Sequence, residues 1–229
     1  MPMTENSLFS WSPAAVVFDC DGTLMDTESH WQDARWMVLR DFGITPAAGF
    51  AERAKGMHYT ACGQLMADEA GKPYLGEDLA RGLLEHFTAR VAENPVTMPG
   101  AVGLVRLLSP HMPLAVASNC PRDTVESGLG RARLLDHFQH IVVPGDGLRA
   151  KPWPDVYAAA ANLCGVECEQ ALAVEDSLTG VEAARRAGMR VLGVGQRPAG
   201  GGATRADLWV HSLQDLDLVD WLRTQVQRQ

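Results

Sequence analysis

Residues 16–27 read Val16-Val17-Phe18-Asp19-Cys20-Asp21-Gly22-Thr23-Leu24-Met25-Asp26-Thr27, and this stretch decides the fold class. An apolar run over residues 14–18 delivers Asp19 and Asp21 two positions apart, with Gly22 and Thr23 directly behind them. A short buried strand that ends in Asp-x-Asp sets two carboxylates at the carboxyl edge of a sheet, where open α/β folds bind their ligands. On a strand the two side chains share a face, because the side-chain repeat is two. Carboxylates held this close repel unless a cation lies between them, and a small cluster of hard oxygen donors suits Mg²⁺. The pattern points to a metal-assisted carboxylate nucleophile with the second aspartate beside it as acid and base. Cys20, between the two, is expected to face the core as a small hydrophobe.

Working outward, residues 30–42 have helical spacing, and Gly43 stops that helix. Residues 50–94 read as entirely helical, broken at Gly56, at Gly71-Lys72-Pro73 and at Gly76. After Met98-Pro99-Gly100 a helix runs to about Leu108, and the chain then alternates. Strands are predicted over 114–117, 141–143, 171–174, 191–194 and 208–210. Helices are predicted over 122–130, with Pro121 near its first turn, and over 154–164, 178–187 and 215–221, with Gly188 ending the third of these. Alternation of this kind means a parallel sheet covered on both faces. The predicted organisation is an α/β core of residues 1–29 and 97–229, interrupted by an all-helical domain of residues 30–96. An insertion directly behind the Asp-x-Asp strand is expected to hang over the carboxyl edge of the sheet as a cap. Residues 1–13 read as a loose tail and 195–205 as a flexible surface loop, whose glycine-rich run lacks P-loop spacing.

Bulk properties exclude several classes. The 229 residues suffice for a full core and an inserted second domain. A net charge of −8 argues against a nucleic-acid-binding surface, though a small anionic substrate is compatible with it because a local field can oppose the global one. No apolar run approaches the roughly 20 residues of a membrane span, and the start carries no secretory signal pattern. The five cysteines, Cys20, Cys62, Cys120, Cys164 and Cys168, are odd in number and form no CxxC pair, which argues against zinc and against a disulfide framework. A reducing cytoplasm fits. Trp31, Trp36 and Trp153 are expected in the core.

Three further segments end strands or open helices. In Leu114-Ala-Val-Ala-Ser118-Asn119 an apolar strand delivers a hydroxyl and an amide, which either hold phosphate oxygens together with helix N–H groups or cap the next helix. In Lys151-Pro152-Trp153-Pro154-Asp155 a lysine precedes a proline-stiffened helix start. It either neutralises charge at a phosphate-bearing site or is solvated. In Ala171-Leu-Ala-Val-Glu175-Asp176-Ser177 an apolar strand again ends in acids, which either complete an Mg²⁺ site with Asp19 or, for Asp176, cap a helix.

In this order, each at the end of a predicted strand, the four motifs resemble those of the haloacid dehalogenase superfamily, in the branch of sugar-phosphate phosphatases and β-phosphoglucomutase. The similarity covers nearly the whole chain, including Asp26-Thr27-Glu28 and the segment from Gly180 to Gly188. The resemblance implies a Rossmann-like core with a helical cap, and a nucleophilic Asp19 that forms an aspartyl-phosphate. Asp21 would protonate the leaving oxygen and then activate water. Mg²⁺ would be held by the Asp19 carboxylate, the Asp21 backbone carbonyl and Asp176, with Glu175 a direct or supporting ligand. Ser118 and Lys151 would bind the transferring phosphoryl oxygens, with Asn119 beside them. Lys55, His58 and Tyr59, at the family's specificity segment, are expected to touch the leaving group.

Within the family, the dehalogenase and phosphonatase branches lack an acid at the Asp21 position, so phosphate-ester chemistry is expected. β-Phosphoglucomutase carries a hinge histidine, but here His30 comes one position early and Trp31 fills that slot. Tyr59 stands where the mutase has an arginine for the second phosphate, although Arg53 or Lys55 could substitute. The expected activity is hydrolysis of a small phosphorylated metabolite, a sugar or sugar-acid phosphate. A mutase and a non-catalytic binding member stay open as alternatives. No nucleic acid or membrane partner is expected, and the chain is expected to be a monomer or small homo-oligomer.

Overall fold

The computed structural model describes residues 8–54, 57–197 and 205–227. The chain divides into two compact units, residues 1–26 with 96–229 and residues 27–95. The helical segment thus begins three residues before the sequence boundary and ends one before it.

The first unit is a six-stranded sheet, β1 (Ala15–Phe18), β2 (Leu114–Ala117), β3 (His140–Val142), β4 (Ala171–Glu175), β5 (Arg190–Val194) and β6 (Leu208–Val210), in the order β3-β2-β1-β4-β5-β6. Every pairing is parallel. Its helices are α5 (Ala101–Leu108), α6 (Arg122–Arg131), α7 (Asp155–Leu163), α8 (Leu178–Ala187) and α9 (Leu216–Val226). Along one face Val17, Ala117 and Ala173 meet Val156, Ala160 and Val181 of α7 and α8 in one buried cluster. Phe18, Val116 and Val174 are equally buried and point the other way by the period of two. Burial on both faces is why these strands read as continuous apolar runs rather than as alternating ones.

Register puts Phe18 opposite both Val116 and Val174, so β1, β2 and β4 end side by side. This corrects the placement of the first aspartates. β1 stops at Phe18, and Asp19 to Asp21 lie past it, because the N–H groups of Leu24 and Met25 turn back to the Cys20 carbonyl and Gly22 N–H donates to Met25 O. β4 runs one residue further than expected and includes Glu175. Pro121 is the N-cap residue of α6, adjoining its first turn as expected.

The second unit holds α1 (Glu28–Asp41), α2 (Phe50–Ala54), α3 (Tyr59–Glu69) and α4 (Gly76–Glu93), with a 3-10 turn at Pro73–Leu75. α4 packs against both α1 and α3 through Leu79, Leu83, Phe87 and Val91, one per turn on one side and all buried. Gly76 starts α4 instead of breaking a helix, and a Cβ on Gly63 would lie 2.7 Å from its carbonyl oxygen and 2.6 Å from Ala80 N. The backbones of α3 and α4 therefore cross in close contact, and only glycine fits there.

Other expectations need revision. Trp36 and Trp153 are exposed; Trp31 is half-buried and stacks on Phe87 with ring centroids 3.6 Å apart. Within the expected N-terminal tail, Leu8 is fully buried and the Trp11 carbonyl accepts from Trp221 Nε1 at 3.3 Å, so residues 8–13 pack on α9. Residues 1–7, and residues 198–204 of the expected loop, lie outside the described residues. The five cysteines are free thiols. Among the described residues no helix is long and apolar enough to cross a membrane.

Two glycine substitutions should change stability in opposite directions. Gly63→Ala forces a methyl group into backbone and should cost about 1–3 kcal/mol. Gly103→Ala, inside α5 with nothing within 4 Å of its added Cβ, should gain up to about 1 kcal/mol from helix propensity. Urea midpoints of the two variants against the wild type check both signs.

Candidate active site

The adjacent ends of β1, β2 and β4 bring four chain segments together. Asp19 follows β1, and its N–H donates to Val174 O at 2.9 Å, extending the β1–β4 ladder by one bond. Ser118 follows β2 in the same way, its N–H donating to Val142 O at 3.0 Å. Glu175 ends β4. Lys151 arrives from the segment before α7.

The buried ammonium of Lys151 joins them. Its Nζ donates to Asp19 Oδ1 at 2.5 Å, to Glu175 Oε1 at 2.6 Å and to the Tyr157 hydroxyl at 3.3 Å. Burial works to lower the Lys151 pKa, but the Asp19 and Glu175 carboxylates and their hydrogen bonds outweigh it and hold the group above the ordinary lysine range. Burial pushes Asp19 well above the usual carboxylate range; Lys151 pulls it back, and Glu175, Asp176 and Asp21 push it up again. Asp176 is raised to about 8 by desolvation and by the charges of Glu175 and Asp21.

Glu175 is fully buried and fully engaged. Oε1 accepts from Lys151 and from Tyr157 Oη at 2.8 Å, and Oε2 accepts from Ser177 N at 3.2 Å and Ser177 Oγ at 3.0 Å. Ser177 Oγ in turn accepts from Gly180 N at 3.0 Å and caps α8, so the cap is Ser177 and not Asp176. Ser118 and Asn119 do not cap α6. The Ser118 hydroxyl donates to Asp21 Oδ2 at 3.4 Å and accepts from Cys120 N at 3.0 Å. The Asn119 amide clips the Lys151 backbone on both sides, accepting from Lys151 N at 2.9 Å and donating to Lys151 O at 3.4 Å. Cys20 and Cys120 are buried, and burial next to Asp21 and Asp19 pushes both thiols well up.

Asp19, Glu175 and Asp176 each offer an oxygen within 4.8 Å of the others. The raised carboxyls of Asp19 and Asp176 fit a cation site, because mutual repulsion is what a hard divalent ion would relieve. Gly22, at φ 84°, lies against the same carboxylate; a Cβ there would come within 2.2 Å of Asp176 Oδ2. The turn after Asp21 needs glycine for its conformation and for this approach.

Of the expected site residues, Asp19, Asp21, Ser118, Asn119, Lys151, Glu175 and Asp176 gather at this sheet edge. His58 and Tyr59 belong to the helical unit, where His58 caps α3 by accepting from Thr60 N at 3.3 Å and its ring lies 4.3 Å from that of Tyr59. Lys55 lies outside the described residues. Tyr157 escaped the sequence reading, and Ser177 and Gly180, quoted there within larger segments, were given no role. The signal for Tyr157 was present: it follows Lys151 by six residues, on the first turn of α7.

Asp155 also has a part beyond the motif. Its carboxylate accepts from Arg149 N at 2.9 Å, Nε at 2.8 Å and Nη2 at 2.9 Å, closing the loop that carries Lys151.

A carboxylate held on a buried ammonium, an acid two residues on and a cation-fitting cluster together define an α/β protein with a carboxylate-lined site at the end of its parallel sheet. The chain belongs to the haloacid dehalogenase-like hydrolases, whose family model matches residues 16–194. It is an enzyme of that family. It is 33% identical over 183 residues to a probable pseudouridine-5'-phosphatase of Drosophila melanogaster (77% of this chain, 79% of that one). It is 31% identical over 181 residues to 6-phosphogluconate phosphatase of Escherichia coli (77% and 80%). The crystal structure of CbbY from Rhodobacter sphaeroides in complex with xylulose-(1,5)bisphosphate superposes with a TM-score of 0.77 at 26% identity, covering 92% of this chain and 99% of that one.

The Arg149 bonds hold the Asp155 carboxyl down at about 2. A carboxyl lower in the folded than in the unfolded chain adds stability above the ordinary aspartate range, about 4, and loses it as pH falls through the folded value. Asp155→Asn should therefore be less stable than wild type at pH 7. The gap should narrow below pH 4 and close near pH 2, as read from urea midpoints across that range.

Proposed function

We propose that the chain is a Mg²⁺-dependent phosphatase of a small phosphorylated metabolite, a sugar or sugar-acid phosphate, working through an aspartyl-phosphate on Asp19. The observation that carries this reading is the Lys151 ammonium, buried and 2.5 Å from Asp19 Oδ1, with Asp21 beside it. The phosphatase names of the curated relatives support it.

Asp19 attacks phosphorus, and the bond to the leaving oxygen breaks as Asp21 delivers its proton there. Asp21, now ionised, takes a proton from water, which attacks the same phosphorus and frees Asp19. One group serves as acid and then as base. Lys151 and the Ser118 hydroxyl hold the transferring oxygens, in keeping with a reaction governed by positioning and charge neutralisation. The Asp19 and Asp176 carboxylates and the Asp21 carbonyl would hold Mg²⁺, which would supply charge neutralisation there. Glu175, with both oxygens engaged, backs Lys151 in this reading. The helical unit serves as the cap, with His58 and Tyr59 as its candidate specificity residues; alanine substitutions that left the substrate ranking unchanged would remove them from the proposal. A mutase must grip a bisphosphate at both ends, and Tyr59 in the arginine's place favours hydrolysis.

Phosphate release from a panel of sugar phosphates, 6-phosphogluconate, phosphoglycolate and an aryl phosphomonoester decides the matter. Turnover should require Mg²⁺, stop with EDTA, and fall at least about a thousandfold in Asp19→Asn. No release from any substrate would overturn the phosphatase reading. The mutase would then be tested with β-glucose 1-phosphate and a bisphosphate primer, and failure there too would leave a non-catalytic binding member.

A further inference from the structure

Lys151 has three ammonium protons and three acceptors: Asp19 Oδ1, Glu175 Oε1 and Tyr157 Oη. Only the first belongs to a group that reacts in the mechanism proposed above. The other two come from one buried assembly. Tyr157, wholly inaccessible on α7, gives its single proton to Glu175 Oε1 at 2.8 Å and receives Lys151 Nζ on its oxygen. Nζ also lies 4.8 Å from the centroid of the Tyr157 ring, within cation–π range. Glu175 cannot swing aside, since Ser177 holds Oε2 through two bonds and α8 passes so close at Gly180 that a Cβ there would sit 1.7 Å from Oε1. Burial and the nearby carboxylates push the Tyr157 phenol well up, which keeps its hydroxyl a donor.

An ammonium on a four-carbon stem is a rotatable point charge. With one acceptor it would swing; with two protons held behind it, the third has one direction left, toward Asp19. We propose that Tyr157 is a positioning residue for this reaction: together with Glu175 it fixes the rotation of the Lys151 ammonium so that one N–H faces the nucleophile and the phosphoryl oxygen bound to it. The inference rests on the phosphatase reading.

The test is Tyr157→Phe, which keeps the ring and its packing and removes only the oxygen. With an aryl phosphomonoester and Mg²⁺, kcat should fall about tenfold to a hundredfold, the scale of a misplaced group, while KM changes less than about twofold. Beryllofluoride with Mg²⁺ mimics the phosphorylated aspartate, and in ¹⁹F spectra the fluorine nearest Lys151 should shift in the variant. A merely structural role would lower the melting temperature and leave the fluorine shift and the kcat/KM split unchanged; that result, or an unchanged kcat, overturns the inference. Should the variant not fold, the wild type decides: a three-acceptor clamp predicts a Lys151 ammonium visible in ¹H–¹⁵N spectra at neutral pH, and protons exchanging too fast to detect would contradict it. Failure of the phosphatase reading is distinguishable, because the wild type would then release no phosphate and give no beryllofluoride adduct.

Discussion

Three charges buried together set the terms for the sheet edge: the Lys151 ammonium between the Asp19 and Glu175 carboxylates. Each comes from a different part of the chain. Taking any one of them out of water alone costs several kcal/mol, so the three tolerate burial only as a set. That requirement explains features with no chemistry of their own. Asn119 clips the Lys151 backbone, Asp155 ties the loop to Arg149, Ser177 occupies the far oxygen of Glu175, and Gly180 leaves room for the near one.

The arrangement also separates two kinds of carboxylate. Glu175 has spent its hydrogen-bonding capacity on fixed protein donors and is a rigid counter-charge. Asp19 and Asp176 are raised by burial and by neighbouring carboxylates, a crowding that a bound cation would relieve. A site that stores repulsion beside a satisfied anchor is preorganised for developing charge, and the sheet makes it so by ending β1, β2 and β4 in register.

Legibility in the sequence followed the range of each signal. The α/β alternation, the parallel sheet and the helical insertion depend on local periodicity and punctuation, which a single chain carries openly. Asp19, Asp21, Ser118, Glu175 and Asp176 were legible because strand ends announce them, and Lys151 because a proline-stiffened helix start follows it. The apolar run marked β1 to its end at Phe18, but the turn that carries the two aspartates past the strand was not readable, since it is closed by bonds to residues further along. Tyr157 was missed, and Gly180 quoted without a role, for another reason: a tyrosine or glycine on an apolar helix face looks like packing until the opposing strand supplies a buried carboxylate. Trp36 and Trp153 were expected inside because size was the only guide. In the fold, Trp153 lies on the surface under the Arg149 guanidinium, 4.1 Å from its ring centroid.

Where the chain leaves the sheet unit and where it returns, Met25 bridges Thr97, Asp26 N–H donates to Val96 O at 2.8 Å, and Met98 N–H to Leu24 O at 2.9 Å. The two crossings are stitched into one short ladder. With its ends fastened, the excursion costs the sheet only a slowly growing loop entropy whatever its length. The helical segment is therefore a replaceable module: evolution or an engineer can lengthen, shorten or exchange it at this seam while the charges at the sheet edge stay where they are.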